Sequence, residues 1–312
     1  MDAGRDATVD SGSTADAAGG SGDDSSASDG GNTASWHCFN WADQGDNFQT
    51  GALVLTGMTA TDTNATVVAN ATAILTGFQT VLGANSVRIP INEPTATTAA
   101  TWAAYKGIID AAISQNMKVM IGYWLIPGVN HIPDLTSFYA MWQVVVDAYA
   151  TNDLVYFDVF NEPSGYSAED FITLVVNWKA QYPTVPPDHI VVAGTTTDID
   201  VNVQGADPRL TASLLNIHIY DNGTETAATA EANLKTHVGP YYYRTIVSEY
   251  AGGTAFLTGL TTQMKAWQMG SCFWAGLEGT SGIAKLNGTA PNYTLTVNNA
   301  SELALIQSGW SP

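Results

Sequence analysis

Residues 155–163 read Val-Tyr-Phe-Asp-Val-Phe-Asn-Glu-Pro, and residues 245–253 read Thr-Ile-Val-Ser-Glu-Tyr-Ala-Gly-Gly. Each is a short run rich in apolar, β-branched and aromatic residues that runs into a carboxylate, the pattern of a buried strand with a polar C-terminal end. A carboxylate just past a buried strand is costly unless it is paired or functional. Six more runs of this kind flank the two: His37–Trp41, Ser86–Asn92, Lys118–Trp124, His189–Ala193, Leu214–Tyr220 and Ser271–Gly276. With Val155–Glu162 and Thr245–Tyr250 they make eight expected strands. Ala-rich helical stretches lie between them, over residues 65–82, 101–116, 134–151, 168–181, 225–237 and 256–269, with a last one over 301–309. The 195–213 stretch carries only a weak helical signal. Strands alternating with helices read as parallel β/α units. Eight such units within residues 36–312 predict an α/β chain folded as a (β/α)₈ TIM barrel, a fold of about 250 residues. A doubly wound open sheet would show a Gly-rich phosphate turn after its first strand, and none follows His37–Trp41.

Residues 1–35 are a different kind of polymer. Asp, Gly, Ser and Ala occur there seven times each, and every Phe, Trp and Tyr of the chain falls later. Such a segment cannot bury enough apolar surface to offset its ordering entropy, so it reads as a disordered linker. The expected organisation is therefore a linker over 1–35 and one catalytic barrel over 36–312. The chain start lacks the basic and apolar regions of a signal peptide. The expectation is nonetheless an exported, secreted or cell-surface-attached protein, with the linker spacing the barrel from an anchor or a further module. The net charge of −19 over 312 residues argues against nucleic acid, whose phosphates require clustered Lys and Arg. No apolar run approaches the roughly 20 residues of a membrane span. No cluster has metal-ligand spacing, so neither metal nor cofactor is expected, and the barrel is read as a monomer.

In a (β/α)₈ barrel, chemistry sits at the C-terminal ends of the strands. Arg88, Asn161, Glu162, His218, Tyr220, Glu249, Trp274 and the nearby Glu278 fall there on this reading. Glu162 and Glu249 end the fourth and seventh strands, on opposite sides of a small barrel, and can face each other across its mouth. Two facing carboxylates are the equipment for cleaving a glycosidic bond. The ordered set resembles glycoside hydrolase family 5, a cellulase-rich family in the clan of (β/α)₈ retaining glycosidases. The resemblance rests on Arg88 in Val-Arg-Ile-Pro, Asn161-Glu162-Pro163, His218-Ile219-Tyr220, Glu249 and Trp274, taken in order. It implies that Glu162 is the acid/base and Glu249 the nucleophile, with Arg88 and Tyr220 donating to Glu249. It implies that Asn161 bonds the sugar 2-hydroxyl, that His218 contacts the acid/base or the substrate, and that Trp274 stacks beneath the sugar. The implied activity is retaining, endo-type hydrolysis of a β-linked polysaccharide by double displacement, with a β-1,4-glucan as first choice. Mannan, xylan and exo action on an oligosaccharide or smaller β-glycoside stay open. A reading from another class, a carbohydrate-binding module on an inactive barrel, is disfavoured because both glutamates are present.

Several residues depart from that pattern or imitate it. Asn92-Glu93-Pro94 repeats the Asn-Glu-Pro motif, but lies beyond the strand that carries Arg88 and is read as a decoy. Many family members carry a His soon after the third strand. Here that strand ends in Ile-Gly-Tyr-Trp-Leu-Ile-Pro-Gly, so either His131 folds back into the cleft or Tyr123 and Trp124 form that wall. Trp41, with Asp43, is expected to line another subsite. Glu278 is a candidate for binding sugar hydroxyls. Tyr241, Tyr242 and Tyr243 precede the seventh strand and read as packing at the far face. Cys38 and Cys272 fall on the first and eighth strands, neighbours in a closed barrel. A disulfide between them is open in an exported protein, but bridging adjacent parallel strands is geometrically demanding, so free buried thiols are slightly favoured.

Overall fold

The computed structural model describes residues 33–310. Eight parallel strands close into a barrel in chain order: β1 (His37–Trp41), β2 (Ser86–Ile91), β3 (Lys118–Tyr123), β4 (Val155–Asp158), β5 (Ile190–Ala193), β6 (Leu214–Tyr220), β7 (Thr245–Ala251) and β8 (Gly270–Leu277). β8 pairs back onto β1, so no edge is left. The helices are α1 (Asn64–Thr80), α2 (Glu93–Thr97), α3 (Ala99–Ser114), α4 (Leu135–Tyr149), α5 (Ala168–Gln181), the kinked turn α6 (Thr195–Asp198), α7 (Asn202–Ala206), α8 (Ala227–Val238), α9 (Thr254–Trp267) and α10 (Ala300–Ser308). Among the described residues no helix is long and apolar enough to cross a membrane.

Side chains of Thr63, Asn92, Asp134, Ser167, Thr226 and Asn299 accept backbone N–H bonds at six helix starts. Each such cap contributes about 1 kcal/mol. The cap at Asn92 explains the repeated motif: Asn92-Glu93-Pro94 starts α2, with Asn92 accepting from the Thr95 N–H.

Strand alternation sorts the core into two layers. Outward residues such as Phe39, Ile89 and Phe157 pack against the helices in one large cluster. Inward residues Cys38, Met120, Val191, Leu214, Ile246 and Cys272 fill the lower barrel above Trp36, which closes its N-terminal end. Above this plug the interior turns polar. Asn40 donates to the carbonyls of Ser248 and Cys272, and accepts from Arg88. Gly122 on β3 makes room for that layer: a Cβ there would lie 2.7 Å from the Trp124 ring and 3.0 Å from Asp158 Oδ2.

Four features differ from the sequence reading. Residues 1–32 of the expected linker lie outside the described residues, but Thr33–Ser35 form a 3₁₀ turn with Thr33 buried, so the fold starts before residue 36. β4 pairs only as far as Asp158, and residues 159–163 leave the ladder to build the site. A hairpin, β9 (Ala284–Asn287) with β10 (Thr294–Val297), follows β8 and was not anticipated. Cys38 and Cys272 are joined in a disulfide rather than left as thiols. They are register partners on β1 and β8 and point to the same side of the sheet, which brings the two Sγ atoms together.

The disulfide closes most of the chain into one loop, so its loss should destabilise the barrel by about 2–4 kcal/mol. Urea unfolding of Cys38→Ala/Cys272→Ala beside the parent protein measures this. No thiol should titrate in the unreduced, denatured parent; two reactive thiols there would contradict the bridge.

Candidate active site

The residues at the strand ends converge on Arg88. This side chain rises from β2 inside the barrel and is fully buried. Nε and Nη2 donate to Asp158 Oδ2 at 3.1 and 2.7 Å. Nη2 also donates to Asn161 Oδ1 at 2.7 Å, and Nη1 donates to Glu249 Oε1 at 2.5 Å and Asn40 Oδ1 at 3.1 Å. The Trp124 ring covers the guanidinium, 4.4 Å from Cζ. Burial alone would lower the Arg88 pKa, but Asp158 and Glu249 more than offset it and hold it above the ordinary value. A fixed cation therefore ties β1, β2, β4 and β7 together under the mouth of the barrel.

Glu249 is 5% exposed, and its second oxygen accepts from the Tyr220 hydroxyl at 2.6 Å. Two charge-assisted donors orient this carboxylate and stabilise its negative charge. Burial raises the Tyr220 pKa, with Glu249 adding to the shift, so its hydroxyl stays a donor.

Glu162 sits across the mouth in a different setting. Its backbone has φ of +53°, a left-handed conformation rare for a residue with a side chain. The Asn161 N–H bonds to the Tyr123 carbonyl and the Glu162 N–H to Asp198 Oδ2, which fixes the turn from both sides. Glu162 Oε1 lies 3.0 Å from His218 Nδ1. Burial raises the Glu162 pKa above the ordinary carboxyl range; Arg88 opposes this and Asp46 adds to it. Burial also drives His218 down to about 3, against the pull of Glu249, so the ring is neutral.

One oxygen each of Glu162 and Glu249 and a nitrogen of His218 lie within 4.8 Å of one another. Such a trio has the donor atoms of a metal site. Arg88, bonded to Glu249, places a permanent positive charge beside it and disfavours a cation there. The arrangement suits acid and nucleophile chemistry better: a carboxyl whose pKa is raised by burial faces a carboxylate that accepts from Arg88 and Tyr220.

A cavity of about 350 Å³ opens over both carboxyls, lined also by Asn161, Tyr220, Trp124, Trp274 and Glu278. The rings of Trp124 and Trp274 lie 6.4 Å apart. Burial, Asp46 and Glu249 raise the Glu278 pKa. A second depression of about 300 Å³ adjoins it on the far side of Glu162, lined by Thr197, Ile199, His218, Asn233 and His237. A larger cavity of about 490 Å³ lies between the β1–α1 loop and α3. It is walled by Leu53, Leu55, Met58 and Ile108 and holds no facing carboxylates.

Two expected subsite residues are elsewhere. Trp41 is fully buried, with its indole N–H on the Thr56 carbonyl and its ring against Phe78, because β1 alternation turns it outward to the helices. His131 is exposed, beside Asn130 and Tyr166, and lines neither depression. Trp124 forms that wall instead. Tyr123 does not join it: its ring packs against Phe138 and Phe160, and its hydroxyl donates to Glu93 of the second Asn-Glu-Pro at 2.5 Å. Asp46 and Phe48 of the β1–α1 loop line the cavity, and Asp158, Asn40 and Asp198 support it from below; the sequence reading had singled out none of these five.

The chain is similar to known proteins in family and in fold. A family model described as cellulase (glycosyl hydrolase family 5) matches residues 44–267. The chain belongs to glycosyl hydrolase family 5. As a family 5 member it is a glycoside hydrolase. No curated protein sequence matches it. Among solved structures, the catalytic domain of the major endoglucanase from Xanthomonas campestris pv. campestris superposes with a TM-score of 0.67 at 15% identity, covering 90% of this chain and 99% of that one. The endocellulase from Pyrococcus horikoshii, solved with cellotetraose, gives 0.61 at 13% identity over 87% and 92%. Cel5A (EG2) from Hypocrea jecorina gives 0.59 at 13% over 89% and 98%. These likenesses share the barrel fold with this family 5 chain.

Proposed function

We propose that this protein is a retaining endo-β-glycosidase acting on a β-linked polysaccharide, with β-1,4-glucan the favoured substrate. Glu249 is the nucleophile and Glu162 the acid/base. The observation that carries this is the close approach of the two carboxyls, with oxygens within 4.8 Å, one raised in pKa by burial and the other accepting from Arg88 and Tyr220. Retaining glycosidases hold their carboxyl groups about 5–5.5 Å apart, whereas inverting ones leave about 6.5–9.5 Å for a water. Glu162 protonates the departing oxygen as Glu249 attacks the anomeric carbon, giving a glycosyl-enzyme. Glu162 then takes a proton from the water that hydrolyses it. Asn161, held by Arg88, is placed to bond the sugar 2-hydroxyl, and Trp274 to stack on the ring.

The depression beyond Glu162 continues the cleft past the cleavage point, which supports cutting within a chain. The glucan preference rests on the endoglucanase and endocellulase titles of the superposed structures. A disulfide supports export, because such bridges persist in oxidising compartments. The linker remains the proposed tether to an anchor or further module, and the barrel is proposed to act as a monomer.

Soluble β-1,4-glucan, mannan and xylan, with NMR detection of the new reducing end, test the proposal. The β-anomer should appear first, with intermediate oligosaccharides, and fastest on glucan. An α-anomer first, or no cleavage of any of the three, would refute it.

A further inference from the structure

One buried ionisable side chain of the catalytic face has so far been given only the task of fixing the Glu162 turn. Asp198 lies in the loop after β5 and is fully buried. The loop is tightly wound around it. The Thr195 N–H bonds the Asp200 carbonyl at 2.8 Å, and a Cβ at Gly194 would lie 2.9 Å from that oxygen. Thr196 and Asp198 have φ of +57° and +58°. Such conformations cost on the order of 1–3 kcal/mol each and persist where the surroundings over-determine them. The conformation places the carboxyl group. Asp198 Oδ2 accepts from the Glu162 N–H at 3.2 Å and lies 3.3 Å from His218 Nε2. Neither His218 Nε2 nor Asp198 Oδ1 has a hydrogen-bond partner among the described residues, so the 3.3 Å approach of Nε2 to Oδ2 is a close contact rather than a formed hydrogen bond. His218 Nδ1, at the other end of the ring, is 3.0 Å from Glu162 Oε1. Glu162, His218 and Asp198 thus form a line of two carboxyls joined by one imidazole.

We propose that this line shares a single proton, and that Asp198 is a positioning residue that keeps Glu162 loaded as an acid. The inference rests on the acid/base role proposed above for Glu162. In one arrangement Glu162 donates its O–H to Nδ1, and Nε2–H donates to the Asp198 carboxylate. In the other, Asp198 donates its O–H to Nε2, and Nδ1–H donates to the Glu162 carboxylate. Passing between them moves one proton from Glu162 to Nδ1 and one from Nε2 to Asp198; the ring stays neutral and no proton is gained or lost.

The neighbouring charges favour this. From β4 and β2, Asp158 and Arg88 lie below the line; Glu249 and Tyr220 flank His218 and Glu162, and Asp46 faces Glu162 from the β1–α1 loop. Burial, then Asp158 and Glu162, push the Asp198 pKa well above its ordinary value. Burial holds His218 down to about 3, so the ring does not keep an extra proton near neutral pH. Losing the shared proton leaves two carboxylates either side of a neutral ring in a dry interior. The pair therefore releases it at higher pH than Glu162 would alone.

Asp198→Asn removes the second carboxylate while keeping groups that can bond His218 and the Glu162 N–H. The alkaline limb of kcat/KM on a glucan oligosaccharide should move down by about one pH unit or more. An aryl glycoside with a strongly acidic leaving group, which needs no protonation, should keep kcat/KM within a few-fold of the parent. A uniform fall in kcat with an unmoved limb would overturn the proposal, since that is what a purely structural Asp198 produces. Nitrogen-15 NMR of the His218 ring in the unmodified protein needs neither turnover nor a folded variant. It should show a neutral ring averaging the two tautomers; a single fixed tautomer or an imidazolium near neutral pH would overturn the sharing. Absence of all turnover in the parent protein counts instead against the glycosidase reading, and the ring spectrum still decides the proton sharing.

Discussion

Glu249→Ala should lower kcat on the order of 10⁵-fold, because it removes the atom that forms the covalent bond and no neighbour replaces it. The fold should survive. Arg88 loses its 2.5 Å contact with Glu249 but keeps Asp158, Asn161 and Asn40, so the buried cation stays paired. Tyr220 loses a partner at the rim of the cavity, where water can replace it. Circular dichroism should be unchanged and the melting temperature should move little. The space left by the carboxylate lies on the nucleophile's side of the sugar. Azide should enter it and attack the anomeric carbon directly, with Glu162 still protonating the leaving group. The product is then a glycosyl azide of inverted configuration, and turnover recovers in proportion to azide. NMR of that product is the measurement. Full activity in the variant, or an azide product of retained configuration, would remove Glu249 from the nucleophile's place.

How much of this was legible in the sequence follows from which interactions are local. The strands were readable because a barrel strand is buried on both faces and appears as a short continuous apolar run. The order Arg88, Asn161-Glu162, His218, Tyr220, Glu249 and Trp274 was readable because a parallel barrel stacks every strand's C-terminal end at one mouth. Asp158 was visible as an Asp inside an apolar strand, four residues before Glu162. Its value as the counter-ion beneath Arg88 depends on the register of β2 through β4, which composition does not show. Trp41 was misplaced because strand alternation was not applied to β1: Asn40 faces inward, so its neighbour must face out. The cysteines were misjudged for a related reason. Adjacent parallel strands admit a bridge only where the register sets both side chains at the same level. Loops were hardest. Asp46, Phe48 and Asp198 reach the site through turns set by long-range bonds, such as Asp43 to the Val54 N–H and Asp198 to the Glu162 N–H, and no periodicity announces them. The two Asn-Glu-Pro motifs illustrate the limit: one caps a helix at Asn92, the other presents a carboxyl across the barrel mouth, and only the strand context before each separates them.

Glu162→Gln separates the two tasks assigned to that side chain. The amide keeps the shape and can still meet His218 Nδ1, so the site should stay assembled, but it holds no transferable proton. On glucan, whose departing sugar is a poor leaving group, kcat/KM should fall about 10²–10⁴-fold, the range lost with a general acid. On a dinitrophenyl glycoside the departing phenolate needs no proton, so the first step should be nearly as fast as in the parent. The second step needs Glu162 as a base toward water and should slow. The glycosyl-enzyme then accumulates, and the time course should show a burst of about one phenolate per active site before a slow steady rate. Azide, which needs no base, should relieve that slow step and yield a glycosyl azide of retained configuration, opposite to the product from Glu249→Ala. The pH dependence should change as well. In the parent, the raised Glu162 pKa keeps the acid form present above the ordinary carboxyl range, and kcat/KM falls as pH rises through the folded value. That alkaline limb should vanish in Glu162→Gln, because nothing remains there to lose a proton. An unchanged limb, or equal losses on the glucan and the dinitrophenyl glycoside, would show that the acid is another group, with Glu278 the next carboxyl in the cavity to test by the same substitution.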